Sequence, residues 1–267
     1  MVLSGIAMSL IVFGIQEGQT YDWGVITGII SVPLLIALGV VFLGLFVWYE
    51  RHMERRDAQP LVPLGLFRNR NFTLGNAAIF FVGANVSSFG LVTALYLQTA
   101  RGLTPTKAAL LLATTAVATA ICSPFAGRIL QRRRSGRIGL VGTLTVTACS
   151  LLWFLLMTPT TPLWVFSLIG AVMGAGTSFV WSPVSLTTTH DLRLDVAGAG
   201  SGVNNAIRQV GSVLGSALIA AVMDWRLAAT HGDLSRGFGQ SMLVPAIEMG
   251  LAALVVAFFA DFKASSD

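Results

Sequence analysis

The sequence has little charge for a chain of 267 residues. Lys and Arg number 17 and Asp and Glu 12, so 11% of the residues are charged, whereas about a quarter are charged in an ordinary soluble domain. Hydrophobic residues make up 54%, and the mean hydropathy is +0.76. This composition argues against a soluble globular domain and is typical of a protein that spans a membrane.

Residues with catalytic or metal-binding chemistry are also scarce. The chain has 2 Cys and 3 His, and His52, His190 and His231 are far apart in predicted loops. No Gly-x-Ser-x-Gly, Gly-x4-Gly-Lys-Ser/Thr or His-Glu-x-x-His stretch occurs. Cys122 and Cys149 lie in apolar segments, where packing is the expected role. The sequence therefore predicts neither an enzyme nor an ATP-driven pump, and no metal site, cofactor or disulfide.

Long charge-poor segments predict the fold. A bilayer core about 30 Å thick requires about 20 apolar residues per helix, and eight segments approach or exceed this length. Their continuous hydrophobicity argues against barrel strands, in which polar and apolar residues alternate. The sequence thus predicts an all-α membrane protein with about eight transmembrane helices. The predicted spans are Val2 to Gln16, Val25 to Tyr49, Phe72 to Ala100, Ala108 to Gly127, Ile138 to Met157, Leu163 to Leu186, Gly198 to Met223 and Gln240 to Ala260.

The basic residues predict the orientation. With Arg208 counted as intramembrane, twelve Lys and Arg residues fall on one side of the predicted membrane and four on the other. Cytoplasmic loops carry an excess of basic residues, so we expect both termini in the cytoplasm, in a membrane of the bacterial inner type. The same distribution explains the pI of about 9.9 without a nucleic-acid partner.

The longest polar interval divides the chain. It reads "ERHMERRDAQPLVPLGLFRNRN", from Glu50 to Asn71, and it contains two prolines and mixed charges. Two predicted spans precede it and six follow. The six form two triplets of opposite orientation, an arrangement common in secondary transporters. We therefore predict two structural units on either side of this interval.

Three segments resemble the major facilitator superfamily, in its fourteen-helix drug:proton antiporter branch of the EmrB/QacA type. "LGLFRNRNF", Leu64 to Phe72, resembles the segment before the C-terminal six-helix bundle of that branch. "SPFAGRILQRRRSGRIGLVG", Ser123 to Gly142, is similar to the superfamily's cytoplasmic G-x-L-a-D-r-x-G-r loop. "AGAGSGVNNAIRQVGSVLGSAL", Ala197 to Leu218, is similar to the branch's A-G-x-x-S-G-x-x-N-x-x-R-Q-x-G-x-x-x-G segment. The resemblance implies two linker helices in residues 1–50, a cytoplasmic linker in 51–71 and the C-terminal six-helix bundle in 72–267.

The resemblance also implies a function. The chain would be the C-terminal portion of a proton-coupled efflux transporter for multiple drugs or other small molecules, working by alternating access. Its expected partners are the lipid bilayer, small hydrophobic or cationic substrates, protons, and either a missing N-terminal six-helix bundle or further copies in a homo-oligomer. One alternative stays open: a truncated or half-transporter chain that does not transport alone and serves as an assembly partner for another bundle.

A polar patch interrupts the seventh predicted span. Asn204 and Arg208 are four residues apart, as are Asn205 and Gln209, so a helix places them on adjacent strips. An Arg at a helix centre costs about 2.5–3.5 kcal/mol on membrane-insertion scales, so it should face protein, water or a partner. The following Gly-x-x-x-Gly permits close helix approach. The patch either lines the translocation pathway or forms a packing and gating lock.

Further candidates lie on the other spans. Asn85 is near the midpoint of the third span, among aromatic residues. A cavity for apolar substrates needs apolar and aromatic walls with a few hydrogen-bonding groups, so Asn85 is a candidate for such a wall. An interhelical hydrogen bond is an equal alternative. Glu248 is a possible proton-linked carboxylate, with a structural role as the alternative. The complete set of substrate-cavity candidates is Asn85, Phe89, Asn204, Asn205, Arg208 and Gln209. The gating-loop candidates are Gly127, Arg128, Gln131, Arg132, Gly136 and Arg137, where Gln131 replaces the family's aspartate and the arginines are alternatively a topology signal.

Overall fold

A computed structural model describes residues 6–7, 9–11, 13–14, 18, 21, 24–28, 30–54, 64–130, 135–189, 192 and 197–259. The chain divides into two compact units. The first comprises residues 1–69 and 192–206, and the second comprises residues 70–191 and 207–267.

The first unit contains a short hairpin followed by a long helix. Strands β1 (Val25–Thr27) and β2 (Ile30–Ser31) pair antiparallel, and Gly28 turns the chain with a φ of +56°. Helix α1 (Val32–Glu54) follows directly. The second predicted span was therefore wrong at its start, because residues 25–27 and 30–31 form strands instead of helix.

Local capping explains where α1 begins. The Ser31 side-chain oxygen accepts a hydrogen bond from the backbone N–H of Leu34 at 3.4 Å, which satisfies a donor that the first helical turn leaves free. Pro33 fits this turn because its missing N–H needs no partner there. Residues 6–7, 9–11 and 13–14 are helical too. A Cβ atom added at Gly39 would lie 2.6 Å from the Ile11 side chain, so this segment packs closely on α1.

Six long helical spans follow a 3₁₀ turn at Leu64–Arg68. The last of them is broken at Met242 into two helices. Helix α2 continues at its end as a π-helical turn, Tyr96–Ala100. The helices are α2 (Arg70–Leu95), α3 (Pro105–Leu130), α4 (Ser135–Leu156), α5 (Leu163–Thr189), α6 (Ala197–Ala229), α7 (Leu234–Ser241) and α8 (Leu243–Ala257).

Within the described segments, seven helices are long and apolar enough to cross a membrane. They correspond to predicted spans two to eight, and the first predicted span lies largely outside the described residues. The expected all-α membrane fold with about eight helices is confirmed. Among the described residues, the five strand residues of β1 and β2 depart from this all-α prediction.

The eighth span begins earlier than the hydropathy predicted. Asp233 caps α7 by accepting a hydrogen bond from the backbone N–H of Arg236 at 3.0 Å. The span thus runs from Leu234 to Ala257 instead of starting at Gln240. The polar side chains of α7 made it look like a loop in the sequence, although a short capped helix tolerates them.

Two groups of hydrogen bonds show how the second unit's helices alternate in direction. The Arg70 guanidinium donates to the Phe258 carbonyl at 3.0 Å, so α2 starts where α8 ends. The Arg101 guanidinium donates to the Thr158 and Thr161 carbonyls at 3.1 and 2.8 Å, so α2 ends beside the loop between α4 and α5. The side that faces the cytoplasm stays a prediction.

An aromatic cluster forms part of the core of the second unit. The Trp153 and Phe166 rings stack with centroids 4.4 Å apart and join α4 to α5. Phe89 of α2 and Tyr96 at its end pack edge-on against this pair at 5.6 and 5.8 Å. Such ring pairs each contribute about 0.5–1.5 kcal/mol beyond their buried area. The cluster thereby fixes the position of α2, which carries most of the site described below.

Candidate functional site

Helices α2 and α6 meet backbone to backbone. A Cβ atom added at Gly215 would lie 2.6 Å from the Cα of Ala84, and one added at Gly211 would overlap the carbonyl oxygen of Phe80. Across the same interface, a Cβ atom at Gly83 would overlap the Arg208 carbonyl oxygen. The Gly-x-x-x-Gly of α6 therefore allows the close helix approach that its spacing predicts.

Serine side chains connect α2 to its neighbours. The Ser87 and Ser212 hydroxyls hydrogen-bond to each other between α2 and α6. The Ser88 hydroxyl lies 3.0 Å from the Gly215 carbonyl on α6 and 3.0 Å from the Glu248 carboxylate oxygen Oε1 on α8. A hydroxyl carries one proton, so these two acceptors share one donor. Ser88 thus joins three helices at one point.

Arg208 is half-buried on α6. Its guanidinium carbon lies 6.0 Å from the centre of the Trp181 ring on α5, at the outer limit of a cation–π contact. Within the described part of the chain it forms no ion pair and no hydrogen bond through its side chain. The arginine that the sequence pattern singled out therefore contacts an aromatic side chain, and no carboxylate neutralises it there.

The three polar neighbours of Arg208 differ in their surroundings. Asn205 is exposed, and its amide donates to the Ser201 carbonyl of its own helix at 3.3 Å. Asn204 is half-buried and Gln209 is exposed. Asn204 and Asn205 belong to the part of α6 in the first unit, whereas Arg208 and Gln209 belong to the second. Their predicted role in a substrate cavity stays a prediction.

Asn85 and Phe89 lie in the interior of the second unit. Asn85 is 1% exposed, and its side-chain amide donates to the Pro245 carbonyl on α8 at 2.7 Å. Phe89 is buried and packs against Trp153 on α4. The structure thus gives Asn85 the interhelical hydrogen bond that the sequence left as an alternative. Asn85, Phe89 and Arg208 contact three different helices, namely α8, α4 and α5.

The gating-loop candidates flank the connection between α3 and α4. Gly127 is half-buried and Arg128 is exposed in the last turn of α3. Gly136 is buried and Arg137 is exposed in the first turn of α4. Gln131 and Arg132 lie outside the described residues. The role of this group in gating stays a prediction.

Glu248 on α8 is the buried carboxylate of this region. Its side chain is 6% exposed, Oε1 faces the Ser88 hydroxyl, and Oε2 has no hydrogen-bond partner among the described residues. It stands 14 residues after Leu234 and 9 before Ala257, the ends of its span. Glu248 is therefore near the middle of the span, deeper than the predicted start at Gln240 implied.

An apolar groove of about 230 Å³ opens beside Glu248, between α2, α6 and α8. We call it the Glu248 groove. Its walls include Phe80 and Phe81 of α2, Leu218 of α6 and Val244 of α8. Sequence reasoning missed it, because its walls come from three helices that are distant in the chain. Among the described residues, no three His, Cys, Asp or Glu side chains lie close enough to hold a metal ion.

Comparison with known proteins identifies the superfamily. The sequence matches the Major Facilitator Superfamily over residues 1–216. It is 35% identical to the uncharacterised MFS-type transporter Rv1250 of Mycobacterium tuberculosis, over 99% of this chain and 48% of that protein. It is 30% identical to multidrug resistance protein Stp of Mycobacterium tuberculosis, over 84% of this chain and 40% of Stp. It is 26% identical to lincomycin resistance protein LmrB of Listeria monocytogenes, over 94% of this chain and 51% of LmrB.

The chain spans about half the length of these curated relatives. The family match covers most of its residues, and the described helices are long and apolar enough to cross a bilayer repeatedly. The chain is an integral membrane protein and belongs to the major facilitator superfamily of transporters.

Proposed function

We propose that the chain is the C-terminal portion of a proton-coupled efflux transporter for several small hydrophobic or cationic molecules, in the EmrB/QacA branch of the superfamily. The observation that carries this proposal is its similarity, along 84% of its length, to a protein named for multidrug resistance. The similarity to a lincomycin resistance protein supports the same conclusion. The transport chemistry is non-covalent, so no enzymatic step and no cofactor are involved.

The proposed setting is a bacterial inner membrane with both termini in the cytoplasm. The twelve-to-four distribution of basic residues supports this orientation. Residues 1–50 supply two linker helices, 51–71 the cytoplasmic linker and 72–267 a six-helix bundle. Alternating access requires two bundles that rock against each other, so the bundle works with an N-terminal six-helix bundle or with another copy of itself.

The candidate residues have distinct roles in this mechanism. The patch on α6, with Arg208 at its centre, and the α2 residues Asn85 and Phe89 contribute to the cavity wall or to the packing that shapes it. The loop between α3 and α4 takes part in gating. Glu248 can exchange a proton, because a carboxylate in mid-membrane has few stabilising partners.

An efflux assay tests the proposal. The complete transporter that contains this chain is expressed in bacteria that lack their main efflux pumps, and accumulation of a fluorescent lipophilic cation is measured with and without a protonophore. We expect low accumulation that the protonophore restores. Equal accumulation with and without the transporter, at verified membrane abundance, would contradict efflux, and efflux that survives the protonophore would contradict proton coupling.

The same assay addresses the open alternative. Expression of residues 1–267 alone is expected to give no efflux, because one bundle cannot rock against itself, and co-expression with an N-terminal bundle is expected to restore it. Efflux by residues 1–267 alone would require a homo-oligomer. If co-expression with an N-terminal bundle also gives no efflux, a truncated chain that does not transport becomes the better description.

A further inference from the structure

We propose that a cavity at the turn from α6 to α7 binds the phosphate group of an anionic phospholipid, held by Arg226 and Arg236. The cavity has a volume of about 470 Å³, and small-molecule sites are commonly about 300–1,000 Å³. We call it the basic cavity. The inference goes beyond the proposed efflux, because it concerns a lipid that stays bound and not a molecule that is exported. The lining residues are Arg226, Ala229, Thr230, His231, Arg236 and Gln240.

The lining of the basic cavity is positively charged. The Arg226 and Arg236 guanidiniums keep their charge at physiological pH, and neither forms an ion pair within the described part of the chain. Two acidic residues are close in sequence, Asp224 and Asp233, but both are exposed and neither lines the cavity. Asp233 instead caps α7 by accepting the backbone N–H of Arg236 at 3.0 Å. The cavity therefore favours an anion.

The donors in the cavity suit a phosphate group. An arginine guanidinium donates two parallel hydrogen bonds to a pair of phosphate oxygens. The ring of His231 and the side-chain amide of Gln240 add N–H donors to the same lining. The Thr230 hydroxyl lies 3.3 and 3.2 Å from the Leu227 and Asp233 carbonyls, so backbone already takes its proton. The two arginines therefore supply most of the binding.

Both arginines lie at the level of lipid headgroups. Helix α6 is 33 residues long, or about 50 Å at 1.5 Å per residue, which exceeds a hydrocarbon core about 30 Å thick. Arg226 is three residues before Ala229, where its span ends, and Arg236 is two residues after Leu234, where the next span begins. Each arginine is thus within about one helical turn of a span end. Membrane phosphates lie at this depth.

An exposed apolar stripe favours a phospholipid over free phosphate. The Arg226 guanidinium packs over the Trp225 ring, with its carbon 4.0 Å from the ring centre. Trp225, Leu218 and Leu214 are 61, 51 and 42% exposed, and their spacing of seven and four residues places them on one face of α6. A lipid held through its phosphate at Arg226 lays an acyl chain along this stripe. Inorganic phosphate gains nothing from it.

Lipid binding by the complete transporter tests the site. Native mass spectrometry in detergent measures the apparent Kd of phosphatidylglycerol and of phosphatidylcholine with the same acyl chains. We expect tighter binding of phosphatidylglycerol, because its net charge is negative. Arg226→Gln and Arg236→Gln should each weaken phosphatidylglycerol binding about fivefold, the effect of one basic residue beside an anionic lipid surface. The loss for phosphatidylcholine, whose choline cancels the phosphate charge, should be smaller.

Two further variants keep the test decisive, and thermal unfolding checks that each variant is folded. Lys107→Gln removes an exposed basic residue at the start of α3, outside the cavity, and should leave binding unchanged. Ala229→Trp keeps both arginines, fills the cavity and should weaken phosphatidylglycerol binding.

Three outcomes would overturn the site. The first is equal phosphatidylglycerol binding by the native protein, both arginine variants and Ala229→Trp, and the second is an equal loss in Lys107→Gln. The third is displacement of phosphatidylglycerol by millimolar inorganic phosphate, which would assign the cavity to free phosphate. The readout is lipid binding, so none of these outcomes depends on whether the transporter exports drugs.

Discussion

Helix α2 packs in two different ways against α6 and α8. Against α6 its backbone touches the backbone of Gly211 and Gly215, and no side chain separates the two helices there. Against α8 the contact runs through polar side chains, from Asn85 to the Pro245 carbonyl and from Ser88 to Glu248. A glycine contact leaves no room for a ligand, whereas side-chain contacts leave the Glu248 groove beside them. Close packing and the groove therefore lie side by side on α2, because Ala84 and Gly215 of the glycine contact also line the groove.

The largest effect is expected from breaking the glycine contact. In Gly211→Leu, the new side chain overlaps the Phe80 carbonyl oxygen, and since backbone cannot move aside, the free energy of unfolding should fall by about 3 kcal/mol or more. The measurement is membrane abundance and thermal unfolding in detergent. Gly90→Leu is the matched control on α2, because no atom lies within 4 Å of its added Cβ. Equal stability of the two variants would contradict the backbone contact.

The second-largest effect is expected on the efflux rate, when Arg208 of α6 is replaced. Arg208→Ala removes the charge near Trp181 and should lower the efflux rate severalfold while leaving membrane insertion intact, since a cation–π contact contributes about 0.5–2 kcal/mol. Arg208→Lys keeps the charge and serves as control. Normal efflux by Arg208→Ala at equal membrane abundance would exclude an essential role for this side chain.

A smaller effect tests the polar contact with α8. Asn85→Leu removes the hydrogen bond to Pro245 and should lower the free energy of unfolding by about 0.6–1.7 kcal/mol, the range found for such bonds in membranes. Asn205→Leu is the control, because that amide donates to a carbonyl of its own helix at an exposed position. The resistance profile distinguishes the roles: a changed set of exported drugs indicates a cavity wall, and an unchanged set with reduced stability indicates packing.

The smallest effect on stability is expected from the serine hydrogen bond between α2 and α6. Ser87→Ala removes the hydroxyl that bonds to Ser212, and because the glycines already hold α2 against α6, the loss should be below about 0.6 kcal/mol. A double-mutant cycle with Ser212→Ala, read by thermal unfolding, isolates the coupling between the two hydroxyls. A loss equal to that of Gly211→Leu would show that the hydroxyls, and not the glycines, hold this interface.

The predictable part of the site lies in short-range patterns. Arg208 and Glu248 stood out because a charged residue in an apolar segment is visible without any structure. The Gly-x-x-x-Gly of α6 was readable for the same reason, since four-residue spacing places both glycines on one face. The hairpin before α1 was missed because its residues are as apolar as those of a helix. The start of α7 was missed because its composition resembles a loop.

The sequence by itself determined the class of the protein: an apolar, charge-poor chain whose long segments cross a membrane as helices. Hydropathy and charge are properties of residues that are neighbours in the chain, so averaging them over a segment is enough to predict a membrane-spanning helix. Only the tertiary structure decided which side chains of different helices contact each other. Ser88 reaches Glu248 across 160 positions, and the groove beside them exists because of how α2, α6 and α8 are rotated and spaced. Such contacts depend on packing between helices, which no local pattern specifies.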